Sequence, residues 1–143
     1  MMTALRANEL TVGQTFETVV VEDLKRTQIV QYAGASGDYN PLHTDEVYTT
    51  KIAGYPSVFA HGMLTMGLTG QAVTALVGTE NLLRFGVRFT AQVWPGDTLT
   101  VRLTVAAIID EDDSRVAEFS LSTVNADGKE VMSGYAFARL ADS

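Results

Sequence analysis

The sequence predicts an α+β domain in which an antiparallel sheet wraps round one long central helix. Three observations support this prediction. An apolar stretch at 62–77 leaves no wide polar face, which is typical of a helix buried nearly all round. The segments 83–89 and 99–105 alternate apolar and polar residues with the two-residue period of half-buried strands. No linker, repeat or low-complexity run separates these parts, so the sheet must cover the helix.

The elements before the long helix are shorter. β-branched residues at 15–21 predict the first strand, and apolar residues at helical spacing in 25–35 predict a helix that stops at the glycines which follow it. Either Asp45 or Thr44 is suited to cap a second short helix that extends to about Lys51.

After the long helix, turn sequences divide the chain into a strand meander. Pro95-Gly96-Asp97 and the polar run 110–114 predict turns, and Asn125-Ala126-Asp127-Gly128 is a strong hairpin signal. A last strand at 131–140 then closes the sheet.

Two glycines inside the predicted long helix need an explanation. Gly67 and Gly70 each cost about 1 kcal/mol of helix stability relative to alanine. We therefore expect both to pack closely against the sheet.

Length and composition describe one domain that spans residues 1–143. The 46% hydrophobic and 19% charged content is typical of a soluble globular protein. No apolar run approaches the roughly 18 residues of a membrane span. The segment 1–10 lacks the apolar core of a secretory signal. We expect a cytoplasmic protein that does not contact a membrane.

Residue counts exclude several functional classes. The absence of cysteine excludes disulfides, thiolate catalysis and cysteine-type zinc sites, and two histidines are too few for a multi-histidine metal site within one chain. The net charge of −7 argues against nucleic acid as a partner, because binding phosphates requires concentrated lysine and arginine. No cofactor and no metal are expected.

The chain concentrates its reactive side chains in two segments. The first reads Ser36-Gly37-Asp38-Tyr39-Asn40-Pro41-Leu42-His43. Its Gly-Asp and Asn-Pro pairs are turn signals, so an irregular loop can aim the acid and the imidazole at one point. The second, Ala60-His61-Gly62, has a glycine where the long helix should start.

Together these segments resemble the hydratase 2 signature of the MaoC-like hot-dog enzymes, which add water to acyl thioesters or remove it. The order of elements is similar to the hot-dog fold over nearly the whole chain. The resemblance extends to the catalytic beta subunits of mycobacterial-type (3R)-hydroxyacyl carrier-protein dehydratases. Ala35 and Thr49 depart from the family's usual residues, but both changes are conservative.

The resemblance implies a role for each motif residue. Asp38 and His43 become the catalytic pair, and Asn40 orients the loop, with Tyr32 and Ser36 as further loop-orienting or substrate-binding residues. Dehydration takes a proton from C2 of a 3-hydroxyacyl thioester and gives one to the departing hydroxyl, so it needs an acid and a base on one side of the substrate. An imidazole serves near neutral pH, whereas an aspartate needs help from its environment.

Charge that develops on the thioester oxygen must also be stabilised. The backbone N–H of Gly62 suits this role, because it lies at a helix N-terminus and its residue has no side chain to obstruct the thioester. His61 is expected to be neutral and structural, since the helix dipole disfavours an imidazolium there.

The implied substrate is an acyl thioester of coenzyme A or of an acyl carrier protein. Both carriers are anionic, so an acidic protein needs a local positive patch to bind them. Arg84, Arg88, Arg102 and Lys51 are the candidates for it.

Two other functions remain open. Many hot-dog thioesterases place a carboxylate on the central helix, and 62–78 contains none. A subunit that only binds acyl chains would not need Asp38 and His43. A homodimer and a heterodimer with a related hot-dog subunit fit the sequence equally well.

Overall fold

The computed structural model describes residues 5–141 as one sheet with two α-helices. The helices are α1 (Arg26–Ser36) and α2 (Gly62–Val77), and the strands are β1 (Thr15–Val21), β2 (Leu82–Phe89), β3 (Leu99–Glu111), β4 (Ser114–Val124) and β5 (Glu130–Arg139). All strand pairs are antiparallel, in the order β1-β3-β4-β5-β2. The predicted α+β class is confirmed, and β1 and α2 have the predicted bounds.

The β3, β4 and β5 meander forms as the turn sequences predict. Asp112 and Asp113, with φ of 49° and 64°, connect β3 to β4. In the next turn the Asn125 side-chain oxygen accepts hydrogen bonds from the N–H groups of Asp127 and Lys129, and Gly128 has a φ of 80°. Local side-chain bonds of this kind direct the chain into a hairpin without long-range help.

The connection between β1 and β2 carries both helices. Because these strands are the two edges of the sheet, the connection must cross one of its faces. Helix α2 does so and contacts β1, β2, β3 and β5. Within residues 5–141, no helix combines the length and the hydrophobicity needed to cross a membrane.

One side of α2 forms the centre of the core. Leu64, Leu68, Val73 and Val77 are buried against the inward residues of the sheet. A hydrogen bond of 2.7 Å between the buried hydroxyl groups of Thr69 and Thr123 joins the helix to β4.

The expectation that α2 is buried nearly all round is wrong for the single chain. Met63, Gly67, Gln71 and Ala75 recur every four residues and form an exposed stripe. The expectation of close packing holds at Gly70, where an added Cβ would lie 3.2 Å from the Phe85 ring, and fails at Gly67, where it would meet nothing within 4 Å. The sheet covers only one side of the helix.

The segment between α1 and α2 has short helical turns. It contains a 3-10 turn at Pro41–His43 and a π-helical turn at Tyr48–Ile52. Asp45 caps the second turn through a 3.0 Å bond from the Tyr48 N–H. Arg26 of α1 donates to the carboxylate of Glu46 at 2.6 Å and to the hydroxyl of Ser57 at 3.2 Å, which holds the segment against α1.

Candidate active site

Local hydrogen bonds shape the loop between α1 and the Pro41–His43 turn. Gly37 ends α1 in the left-handed conformation, with a φ of 76°. The Ser36 hydroxyl then accepts from the Asp38 N–H at 3.1 Å, and the Asp38 carboxylate accepts from the Asn40 N–H at 3.2 Å. The Asn40 side chain accepts from the Leu42 N–H at 3.0 Å. Ser36 and Asn40 therefore lie where they can orient the loop.

His43 is anchored through one ring nitrogen. Its Nδ1 lies 2.6 Å from the carbonyl oxygen of Phe59, and the Phe59 ring packs edge-on against the imidazole at a centroid distance of 5.4 Å. A carbonyl oxygen only accepts hydrogen bonds, so Nδ1 carries the proton. In the neutral ring, Nε2 then has a free lone pair that can act as a base.

His61 lies behind His43 and is only 2% exposed. The two rings stack with centroids 3.8 Å apart, and Tyr32 packs edge-on against His61 at 4.8 Å. His61 Nε2 is 3.0 Å from the carbonyl oxygen of Asp38. Burial lowers the pKa of His61 below its ordinary value, and the nearby His43 lowers it further, whereas the bond to Asp38 opposes both effects. Tyr32 thus supports His61 in this structure.

The side chains of Asp38, His43 and His61 come together. One carboxylate oxygen and one nitrogen of each ring lie within 4.8 Å of one another. The stacked rings suit a metal poorly, because the lone pairs of stacked imidazoles run side by side instead of converging on one point. An acid and a base this close together can act on the same substrate.

Gly62 is the first residue of α2, as predicted. Within residues 5–141 its N–H has no hydrogen-bond acceptor, so it is a free donor at the positive end of a 16-residue helix. The space beside its Cα is filled by the Phe89 ring, whose nearest atom lies 3.1 Å from where a Cβ would be. The missing side chain therefore makes room for Phe89.

A cleft of about 380 Å³ adjoins the start of α2. Its walls include Phe59, Gly62, Thr65, Phe89 and Val131. Phe59 connects this cleft to the acid and base, because its ring packs on His43.

Sequence reasoning did not identify the strand residues of this cleft, and it missed the contact between the Phe59 carbonyl and His43. A backbone carbonyl leaves no signal in the residue type. The alternation at 83–89 shows that Phe89 shares a face with Phe85, but it does not show that this face reaches Gly62.

Of the four cations predicted to form a positive patch, two are already paired with carboxylates. Arg84 pairs with Glu111 at 2.6 Å and Arg102 pairs with Glu17 at 2.8 Å, so carboxylates of this chain already neutralise both. Lys51 and Arg88 are exposed and form no ion pair within residues 5–141.

Comparison with known proteins shows what the chain is similar to. The family described as MaoC like domain matches residues 7–126. The 3-hydroxyacyl-thioester dehydratase Y of Mycobacterium tuberculosis is 36% identical over 98 residues, which cover 66% of this chain and 32% of that protein. The peroxisomal enoyl-CoA hydratase 2 of Arabidopsis thaliana is 36% identical over 89 residues, covering 60% of this chain and 28% of that protein.

Solved structures extend the similarity to the whole fold. The unliganded R-hydratase PhaJ1 from Pseudomonas aeruginosa has a TM-score of 0.82 and 29% identity, covering 98% of this chain and 88% of that one. A Mycobacterium tuberculosis protein described as a double hotdog fold has a TM-score of 0.79 at 20% identity, with 98% of this chain and 45% of that one covered. This second likeness concerns the fold alone and confirms the hot-dog architecture.

The extent of the match differs among these proteins. The chain spans about a third or less of the two curated relatives, but most of the R-hydratase. The family match covers residues of the loop, the helix start and four of the five strands. The chain therefore belongs to the MaoC-like domain family and has its hot-dog fold.

Proposed function

We propose that the protein catalyses the reversible hydration of a trans-2-enoyl thioester to a (3R)-3-hydroxyacyl thioester. The observation that carries this proposal is the approach of Asp38 and His43 to within 4.8 Å beside a cleft. The names of the relatives, a 3-hydroxyacyl-thioester dehydratase and an enoyl-CoA hydratase, support it. The R configuration rests on the likeness to the R-hydratase.

The two side chains supply the proton transfers. In hydration, the oxygen of water bonds to C3, one proton of that water passes to a base, and C2 receives a proton from an acid. His43 has a free Nε2 for one of these roles, and the exposed Asp38 has a carboxylate oxygen within 4.8 Å of a nitrogen of that ring. Which group exchanges the C2 proton is left open.

The N–H of Gly62 is proposed to bind the thioester oxygen when C2 has carbanion character. The donor is free within the described residues and is reinforced by the helix dipole. One such preorganised donor is worth roughly 2.7–4 kcal/mol in other enzymes. The cleft beside Gly62 is the proposed site of the acyl or pantetheine chain.

The carrier is proposed to be coenzyme A or an acyl carrier protein. Lys51, in the π-helical turn after the loop, forms no ion pair within residues 5–141 and is proposed to meet its phosphate. The acidic net charge of −7 makes nucleic acid an improbable partner.

Thioester hydrolysis is the weaker alternative. Helix α2 carries no carboxylate that could activate a hydrolytic water. Simple binding of an acyl thioester is weaker too, because it needs no acid and base within 4.8 Å of each other.

One assay separates these functions. The purified protein is mixed with a trans-2-enoyl-coenzyme A, and the conjugated enoyl absorbance and free thiol are followed together, with a carrier-protein thioester in parallel. Loss of absorbance without thiol release, and an R product on chiral analysis, are expected. Thiol release would support hydrolysis, and tight binding without turnover would support a binding subunit; either outcome would overturn the proposal.

A further inference from the structure

We infer that His61 is a positioning residue for the pair Asp38 and His43, which it holds in place as a neutral imidazole. This inference rests on the proposed hydration reaction and adds a third residue to it. His61 is not expected to touch the substrate, because it is almost completely buried behind His43.

The hydrogen bonds of His61 assign its tautomer. Nε2 faces the carbonyl oxygen of Asp38 at 3.0 Å, so it must donate and carries the proton. Nδ1 is buried and has no partner within residues 5–141. A second proton on Nδ1 would create a buried cation with an unpaired N–H, which is far more costly than an unpaired lone pair. The ring is therefore neutral with the proton on Nε2.

The groups around His61 affect its protonation in opposite directions. Burial, the largest effect, and the stacked His43 lower the pKa of His61, whereas the backbone carbonyl and the nearby carboxylate of Asp38 raise it. Tyr32 of α1 presents its ring. Two imidazolium rings with centroids 3.8 Å apart would repel strongly. A charge on one ring therefore disfavours a charge on the other, and His61 is the more deeply buried of the two.

The hydrogen bond from His61 Nε2 to the Asp38 carbonyl also fixes the beginning of the loop. The other hydrogen bonds of residues 38–40 join them to residues 36–43 of the same loop. Among the described residues, the bond from His61 is the only one that ties this part of the loop to a residue outside it. The end near His43 is held separately, by the bonds between Phe59 and both His43 and Leu42. Without His61, the Asp38 carboxylate would lose its fixed distance from His43.

Two matched variants separate the hydrogen bond from the ring. His61→Gln keeps an N–H donor at the reach of Nε2, whereas His61→Phe keeps an aromatic ring and loses the donor. We expect His61→Phe to lower kcat by about 10²-fold, the size of effect that a displacement of about 1 Å produces, with little change in KM. His61→Gln should recover most of that loss. Equal kcat in His61→Phe and the wild type would overturn the inference.

The protonation state of His61 can also be measured in the wild type, so this test does not depend on whether a variant folds. The ring nitrogens of both histidines are followed by NMR between about pH 5 and pH 8. We expect His61 to be neutral at pH 7, with the proton on Nε2. A charged His61 at pH 7, or a proton on Nδ1 alone, would overturn the inference.

The two proposals fail in different ways. A wild type that converts no enoyl thioester overturns the proposed function, and the NMR spectra still report the state of His61. An active wild type whose His61→Phe variant is equally fast overturns only the positioning role.

Discussion

At the scale of single residues, the site depends on side chains that bond to nearby backbone. The Ser36 hydroxyl, the Asp38 carboxylate and the Asn40 amide each accept a backbone N–H two residues further on. These bonds replace regular secondary structure and leave the Asp38 side chain exposed. The carboxylate can thus reach a water molecule while its backbone stays in place.

The first prediction concerns Asp38 and His43, the proposed catalytic pair. Asp38→Asn and His43→Asn should each lower kcat by about 10²–10⁴-fold, because each removes one proton-transfer group. Asparagine at 43 can still donate to the Phe59 carbonyl in place of Nδ1, so the anchor of the loop is kept. Steady-state kinetics on a trans-2-enoyl-coenzyme A measure the effect.

The double variant is the control for this pair. It should lose much less than the product of the two single losses, because groups that act together are not additive. Wild-type rates in either single variant, with circular dichroism showing an intact fold, would contradict the mechanism.

The second prediction concerns acid stability. The pKa of His61 is below its ordinary value of 6.5 in the folded chain, chiefly because of burial. Below about pH 6.5 the unfolded chain therefore binds a proton that the folded chain does not, and the free energy of unfolding falls as the pH falls. His61→Gln lacks this group, so its stability should decline less between pH 7 and pH 5. Urea unfolding at several pH values measures both slopes, and equal slopes would contradict the lowered pKa.

At the scale of elements, the start of α2 combines a free backbone N–H with a Cα that packs closely against an aromatic ring. Within the described residues the N–H of Gly62 has no acceptor, and its Cα faces the Phe89 ring. Two residues earlier, the N–H of Ala60 donates to the Val93 carbonyl at 2.8 Å, which holds the start of the helix to the chain after β2. The N–H of Gly62 is thus held in place where α2 meets the sheet.

The third prediction tests this donor. Gly62→Val adds a side chain that must displace Phe89 and shift the helix start, so kcat/KM should fall by about 10²-fold. The double change of Gly62→Val with Phe89→Ala makes space and should recover part of the loss. Kinetics and circular dichroism on both variants distinguish a displaced donor from an unfolded chain. Wild-type kinetics in Gly62→Val would remove the oxyanion role.

At the scale of the whole molecule, a single chain leaves apolar surface uncovered. Met63 is 55% exposed on α2, and Leu83 and Phe89 are 39% and 49% exposed on β2. β2 is also an edge of the sheet, with backbone groups free to pair with another strand. Exposed apolar side chains near an open edge strand are typical of a subunit interface.

The fourth prediction is that the protein is a dimer, with itself or with a related hot-dog subunit, and that β2 takes part. Leu83→Glu should shift the dimer toward monomer, because it places a charge on that edge. Val19→Glu is the matched control, since Val19 is 50% exposed on the opposite edge strand, β1. Light scattering over a range of concentrations measures the mass. A monomeric wild type with full activity, or equal effects of the two changes, would contradict the prediction.

The sequence by itself determined the elements and the composition of the loop. The alternation at 99–105 predicted the inward face of β3, and the residues Leu99, Val101, Leu103 and Val105 are buried as expected. The glycines at each end of 62–77 predicted the bounds of α2. These features follow from forces that act over a few residues, such as helix breaking by glycine and side-chain bonds to nearby backbone.

Only the tertiary structure decided how these parts act together. It showed which nitrogen of His43 is free, because the Phe59 carbonyl engages the other. It stacked His61 on His43, and it left one stripe of α2 exposed, from Met63 to Ala75. Contacts of this kind join residues that are distant in the chain. They depend on the order of the strands, which no local pattern of residues encodes.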